Sequence, residues 1–244
     1  MPTIIFGLGH ILYLLFTTIG LLTALFLIKK FCKTKRSQDI AIYASASLLL
    51  ALILANRISI AILTNDWLGI IPVSFCGMTS LLLSVFVLVT RNRNHHVFHF
   101  LAYLAFFGGV VATLIPDFMT NYDSMSDARV VTGLMHHTTA TYLVVLLVIL
   151  GRFKPTLKRW YCIPLGLAVY MTMGLFFIHA LGVDDAMLIN GPLLPGLYWY
   201  ICGAIFLGIH IPGLMIYEFI KRQVSKRRQA SVTSKEFKDD NTNL

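Results

Sequence analysis

The chain has 244 residues, of which 57% are apolar and 13% charged, and its mean hydropathy is +0.76. That balance excludes an ordinary soluble domain and a disordered chain alike. The formal net charge of +9 would suggest a nucleic-acid partner in a soluble protein, but its placement in short loops points to a membrane and to no nucleic acid.

A spanning helix needs roughly 20 mostly apolar residues at about 1.5 Å each. Seven segments qualify in chain order: residues 4–28, 40–64, 73–90, 97–118, 130–150, 160–182 and 196–219. Residues 1–3 carry no basic side chain, so the first segment reads as a span rather than a cleaved signal. The loop after the first segment holds Lys29, Lys30, Lys33, Lys35 and Arg36. Arg91 and Arg93 follow the third, and Arg152, Lys154, Lys158 and Arg159 the fifth. Lys221, Arg222, Lys226, Arg227 and Arg228 follow the seventh. The opposite loops, 65–72, 119–129 and 183–195, contain one basic residue, Arg129. The positive-inside rule then predicts an all-α, seven-transmembrane-helix bundle with its N-terminus outside and its C-terminus cytoplasmic. The expected location is the plasma membrane. Residues 1–220 form the membrane domain, and 221–244 read as a basic, then disordered, cytoplasmic tail. The early part of that tail is a stop-transfer anchor facing anionic headgroups.

Polar groups within a bilayer are costly, so they face a cavity or one another. Taken in chain order, they are His10, then Asn56 and Arg57, then Cys76, Thr79 and Ser80. Asp117 closes the fourth segment, His136 and His137 enter the fifth, and His179 lies near the end of the sixth. Tyr198, Trp199 and Tyr200 open the seventh. All sit toward the outer ends, which predicts a pocket open to the outer side. His210, ahead of Pro212, is the exception and reads as a polar contact at a kink. Arg57 is roughly 10 Å deep and calls for Asp117 or a lipid phosphate as partner, unless it snorkels to the headgroups.

Adjacent helical residues project about 100° apart, so His136 and His137 cannot point at one spot. One is expected to face the bundle interior, the other a neighbouring helix or an aqueous vestibule. Cys76 lies at matching depth. A Cys–His pair would let the imidazole draw the thiol proton and the thiolate attack an ester carbonyl. The plainer alternative is that the cysteines are small buried apolar residues and the histidines satisfied hydrogen-bonding ones. No metal site and no cofactor are expected. Among His10, His136, His137 and His179, no two stand four residues apart, as helical zinc ligands would. A retinal protein needs a lysine in the seventh segment, and 196–219 has none. The third segment closes Leu88-Val89-Thr90-Arg91-Asn92-Arg93, without the acidic-Arg-aromatic triad of G-protein-coupled receptors. The seventh lacks their Asn-Pro-x-x-Tyr run.

Several short motifs fall in a telling order. Ile71-Pro72-Val73-Ser74-Phe75-Cys76 opens the third segment, and Thr113-Leu114-Ile115-Pro116-Asp117 ends the fourth. His137 follows Arg129, and Asn190-Gly191-Pro192 precedes Tyr198-Trp199-Tyr200. Over roughly residues 40–220 the chain resembles the bacterial YwaF-like family of seven-helix integral membrane proteins. Its relatives include a eukaryotic multi-pass ether-phospholipid acyltransferase with a cysteine nucleophile. More distant are androgen-regulated membrane hydrolases that use threonine with histidine. The resemblance implies that Cys76 is the nucleophile and His137 the base, with His136 as its understudy. Many relatives carry a polar or basic residue shortly before the cysteine, where this chain has Ser74 and Phe75.

Two functional classes follow. The first is an acyltransferase or lipid ester hydrolase acting on membrane lipids. Asn56 or Thr79 would donate to the oxyanion, Arg57 would hold a phosphate, and Asp117, His179, Tyr198 and Trp199 would line the pocket. The second is a non-enzymatic transporter or lipid-binding protein using the same pocket. Gly108-Gly109 and the prolines 116, 164 and 212 suit a moving bundle as readily as a rigid one. The oligomeric state is not legible. The orientation has a direct test: cysteines introduced near Asp123 and Asp185 should react with an impermeant label on intact cells, and a tag after Leu244 should not be reached. External access to that tag reverses every depth assigned above.

Overall fold

In lipid, a lone segment can satisfy its backbone groups only as a helix. The computed structural model describes residues 5–90, 95–191 and 199–242, with side chains described to Lys226 apart from residues 117, 120, 199 and 202. Among the described residues there are seven α-helices and no strand. They are α1 (Leu8–Phe31), α2 (Lys35–Thr64), α3 (Phe75–Val89), α4 (His96–Leu114), α5 (Ala128–Ile149), α6 (Cys162–Leu181) and α7 (Trp199–Thr242). Short 3-10 turns at Trp67–Ile70, Asp117–Asn121 and Leu157–Arg159 lie between them.

Six of these helices are long and apolar enough to cross a bilayer. The exception is α3. Its 15 residues rise only about 22 Å against a hydrocarbon core of about 30 Å. The stretch 73–90, read above as a full span, starts late for a local reason. Ser74 is extended (φ −94°, ψ 152°), and its side chain caps the helix by accepting from the Gly77 N–H. The Val73 carbonyl is taken by the Met187 N–H at 2.9 Å, so the approach to α3 is held by the loop after α6. That loop begins where Gly182 adopts a left-handed φ of 70° and ends α6.

The core is a ring of four helices in which α2 packs on α3, α3 on α4, α4 on α5 and α5 back on α2. On α2 the buried residues Ile42, Ala46, Leu49, Ile53 and Asn56 recur every three or four positions, making one inward stripe. Two thirds of the apolar window of α5 is buried and none of that of α1, so α5 is central and α1 peripheral. Leu22 and Phe26 of α1 are exposed, as befits a lipid-facing helix. Outside the ring, α6 rests on α4 and α7 on α6.

Side-chain hydrogen bonds fasten the periphery. His10 accepts from the Phe6 N–H at 3.1 Å, and its Nε2 donates to the Thr113 carbonyl at 2.9 Å. This histidine ties α1 to the end of α4. Tyr13 and Thr138 hydroxyls meet at 2.9 Å, joining α1 to α5. Asp127 caps α5, accepting from the Arg129 N–H at 2.8 Å and from its Nη2 at 2.6 Å. The Arg129 side chain holds the Asp127 carboxyl below the usual carboxylate range. In α7, His210 is buried with its ring 4.2 Å from that of Tyr103, an aromatic contact two residues before the expected kink at Pro212. The backbone of α7 is helical to Thr242. Lys, Arg, Gln, Ala and Glu are good helix formers, and they extend a helix already nucleated in the bundle.

Glycine sets the spacing inside the ring. A Cβ on Gly109 would lie 2.7 Å from the His137 carbonyl oxygen and press on Thr141. Gly109→Ala should therefore destabilise the purified protein by about 1–3 kcal/mol, lowering its melting midpoint by several degrees. Gly20→Ala, where nothing lies within 4 Å, should leave the midpoint in place. Equal midpoints for the two variants would refute close packing at Gly109.

Candidate functional site

The site is built from the first turns of α3. The Ser74 side chain serves the Gly77 amide at 3.2 Å. The N–H groups of Phe75 and Cys76 belong to the first turn, which no carbonyl of the helix itself reaches. They form the positive end of the α3 dipole. The Cys76 thiol is thus placed where negative charge is favoured, and its side chain is half-buried and not in a disulfide.

Residues four apart share a helix face, so Ser80 lies directly below Cys76. The Ser80 hydroxyl meets His136 Nδ1 at 3.2 Å across to α5. Thr79 points elsewhere, its hydroxyl 3.1 Å from that of Tyr170 on α6. Behind the thiol runs α4. A Cβ on Gly108 would sit 3.1 Å from Cys76 Sγ, and one on Gly109 would strike the His137 turn. The two glycines let one stretch of α4 backbone touch both the thiol and the histidine-bearing turn of α5.

His136 and His137 are both buried, with ring centroids 4.0 Å apart at 37°. Their outlooks differ. His136 reaches α3 through Ser80, and His137 faces the Phe118 ring at 5.8 Å. The second imidazole thus meets a neighbouring turn of chain.

Arg57 is tied first to its own neighbour. Its Nη2 donates to Asn56 Oδ1 at 2.9 Å, and its Nε is buried with no hydrogen-bond partner among the described residues. It lies within Coulombic range of both histidines. Asn56 Nδ2 donates to the Arg129 carbonyl at 3.1 Å and to Thr132 Oγ1 at 3.0 Å. With both amide hydrogens and the carbonyl occupied, Asn56 has no donor left for an oxyanion. This corrects the role expected for it. Asn56 is a bracket that orients Arg57 and fastens α2 to α5. Beside Arg57 is a cavity of about 300 Å³, bordered also by Asp66, Val73, Asp184 and Asp185. Two of those carboxylates serve the local backbone: Asp66 accepts from the Leu68 N–H at 2.9 Å and Asp185 from the Asn190 N–H at 2.8 Å.

The other expected pocket residues are not drawn in. His179 is exposed in the last turn of α6 and makes no described contact with the cluster. Asp117 opens a 3-10 turn and Trp199 opens α7, but their side chains, and the whole of Tyr198, lie outside the described residues. Ser80, Tyr170 and the glycine pair are the members whose roles were not foreseen. The i,i+4 spacing of Cys76 and Ser80 is the one signal that points to Ser80. Tyr170, alone in an apolar stretch, reads as core.

The family model for the TMEM164 family matches residues 5–216, which takes in this cluster and most of the bundle. No curated protein and no solved structure matches the chain.

The Asn56 bracket is testable apart from any activity. Asn56→Ala strands the Arg57 guanidinium, at about 1–3 kcal/mol for a buried polar group left unpaired. Thr132→Ala removes one partner only and should cost about 1 kcal/mol or less. Thermal denaturation in detergent should rank Asn56→Ala well below Thr132→Ala; the reverse order would remove Asn56 from its bracketing role.

Proposed function

The chain belongs to the TMEM164 family, a family of multi-pass membrane proteins, and on that footing we propose that it moves or hydrolyses a lipid acyl group through Cys76. One observation carries this reading. Cys76 Sγ and the His137 turn are both packed against Gly108–Gly109, while Ser80, on the Cys76 face, holds the neighbouring His136. The resemblance to the YwaF-like proteins and their acyltransferase relative adds to it. In the same proposal the α3 segment completes a seventh crossing, the loop charges place the C-terminus in the cytoplasm, and the plasma membrane is the location.

The chemistry is a two-step transfer. His137 takes the thiol proton, with His136 as the alternative base, and the sulfur bonds to the carbonyl carbon of a phospholipid ester. The oxyanion is met by the Phe75 and Cys76 amides at the start of α3; Thr79, turned to Tyr170, is not placed to join them. The ester C–O bond breaks, and the imidazolium returns its proton to the departing lysolipid alkoxide. A lysolipid hydroxyl, or water, then gives its proton to the same imidazole and attacks the thioester. The C–S bond breaks and the thiol is restored. Arg57, beside its cavity, is the phosphate-binding residue of this reading.

A second reading rests on a different observation. The Arg57 cavity is bordered by neither Cys76 nor a histidine. A transporter or lipid-binding protein would need no more than that.

The two readings part on a covalent adduct. An acyl-enzyme predicts an acyl group on Cys76 that neutral hydroxylamine removes and that is missing from His137→Ala. Loss of the base should slow acylation about 100-fold or more, and the parallel His136→Ala variant identifies which imidazole acts. Arg57→Lys should retain part of the activity that Arg57→Ala loses, since an ammonium lacks the planar fork. Cys32 and Cys162, neither in a disulfide, are the internal controls. If a thiol-reactive acyl probe labels Cys76 no faster than these two, and Cys76→Ala leaves the lipid acyl profile of cells unchanged, the nucleophile fails and the binding reading stands.

A further inference from the structure

At the end of the bundle remote from Arg57, the α5–α6 connector, the start of α4 and α7 enclose a cavity of about 700 Å³. Among the described residues five cations line it, Lys154, Arg159, Lys221, Arg222 and Lys226, against one carboxylate, Glu218. That carboxylate is already engaged. Its Oε1 accepts from Thr156 Oγ1 at 3.0 Å and from the Leu157 N–H at 2.9 Å, and its Oε2 lies 3.7 Å from Arg222 Nη2. Glu218 thereby clamps α7 to the connector, which holds the cavity open as a built feature. Its floor is equally anchored. His99 is buried there, with Nδ1 2.9 Å from the Tyr103 hydroxyl, and that hydroxyl accepts from the Thr156 N–H at 3.1 Å.

With Arg222 already beside Glu218, Lys154, Lys221 and Lys226 still border one space, and like charges so placed repel one another. The arrangement calls for an anion. Its level in the bundle indicates which kind. The apolar stretches Leu157–Leu181 and Gly203–Lys226 begin and end at the cavity's edge, so it lies where a bilayer's headgroups would. Trp160 and Tyr161 are partly exposed at the same level, as interfacial aromatics are. Along α7 the exposed apolar Phe219, Ile220 and Val224 alternate with the cations that face the cavity. That helix offers an apolar track for an acyl chain beside a basic receptacle for a headgroup. A cavity of this volume is large enough for such a headgroup.

We propose that this cavity binds the phosphate headgroup of an anionic phospholipid, its acyl chains lying along the exposed apolar face of α7. The site is separate from the Cys76 cluster and does not depend on the activity proposed for it. It holds lipid electrostatically, with phosphate oxygens met by lysine and arginine together.

The purified full chain in detergent should be stabilised against heat by phosphatidylglycerol at concentrations about ten-fold below those needed with zwitterionic phosphatidylcholine. The variant K154Q/R159Q/K226Q should lose that preference. K226Q alone, a change at an exposed position on α7, should lose part of it even if the triple variant is too unstable to purify. K29Q/K33Q/K35Q removes the same charge from the α1–α2 connection and should keep the preference in full. Equal loss in both triple variants would mean that net charge alone draws the lipid, and the cavity assignment would fall. Equal protection by the two lipids would overturn it as well. If soluble glycerol 3-phosphate protects at the same concentrations as phosphatidylglycerol, the anion is not lipid-borne and the proposal fails on that count.

Discussion

Close approach of α4 to its neighbours at Gly108–Gly109 is the constraint on which the rest of the bundle depends. Helices in lipid gain little from hiding apolar surface, because the solvent is as apolar as they are. What they gain comes from packing, and backbones approach only where side chains are small. At this pair a methyl group on Gly109 would reach the His137 carbonyl, and one on Gly108 would reach the Cys76 sulfur. The same two positions therefore fix the α4–α5 spacing and bring the thiol of α3 and the histidines of α5 to one stretch of backbone.

Around that contact, polar groups act as fasteners. Asn56 is the clearest case: one amide group joins α2 to the first turn of α5 and turns Arg57 inward. His10 and Tyr13 do the same for α1, which buries almost nothing else. A peripheral helix with an exposed apolar surface cannot be positioned by hydrophobic burial, so a few hydrogen bonds set its register. Glu218 is the counterpart at the opposite end, where it fastens α7 to the connector between α5 and α6.

The polar groups of the molecule thus divide into two assemblies separated by the apolar core. One holds Cys76, Ser80 and the histidine pair, with Arg57 and its cavity nearby. The other is basic, at the level where α7 leaves the apolar layer. The acyl-transfer centre proposed for the first and the headgroup receptacle proposed for the second make different physical demands. The first needs a dry, rigid setting for proton transfer, and the second needs only charge and access from the bilayer surface.

Much of the framework was legible because the bilayer imposes simple rules. Runs of apolar residues long enough to cross must be helices, so the class and the order of the elements follow from hydropathy alone. The grouping of Cys76, Thr79, Ser80, His136 and His137 at one depth follows from counting residues along helices whose rise is constant. Depth, however, is only one coordinate. Rotation about each helix axis and the choice of neighbours belong to the tertiary structure. They decided that Ser80 reaches His136, that Thr79 turns to Tyr170, and that His179 is left exposed. They also decided that Asn56 uses every one of its polar atoms on the protein itself. The shortness of α3 was hidden for a related reason. Its apolar run continues through Val73; the Ser74 cap is a local signal, but the hydrogen bond from Met187 that holds Val73 comes from a residue more than 100 positions away.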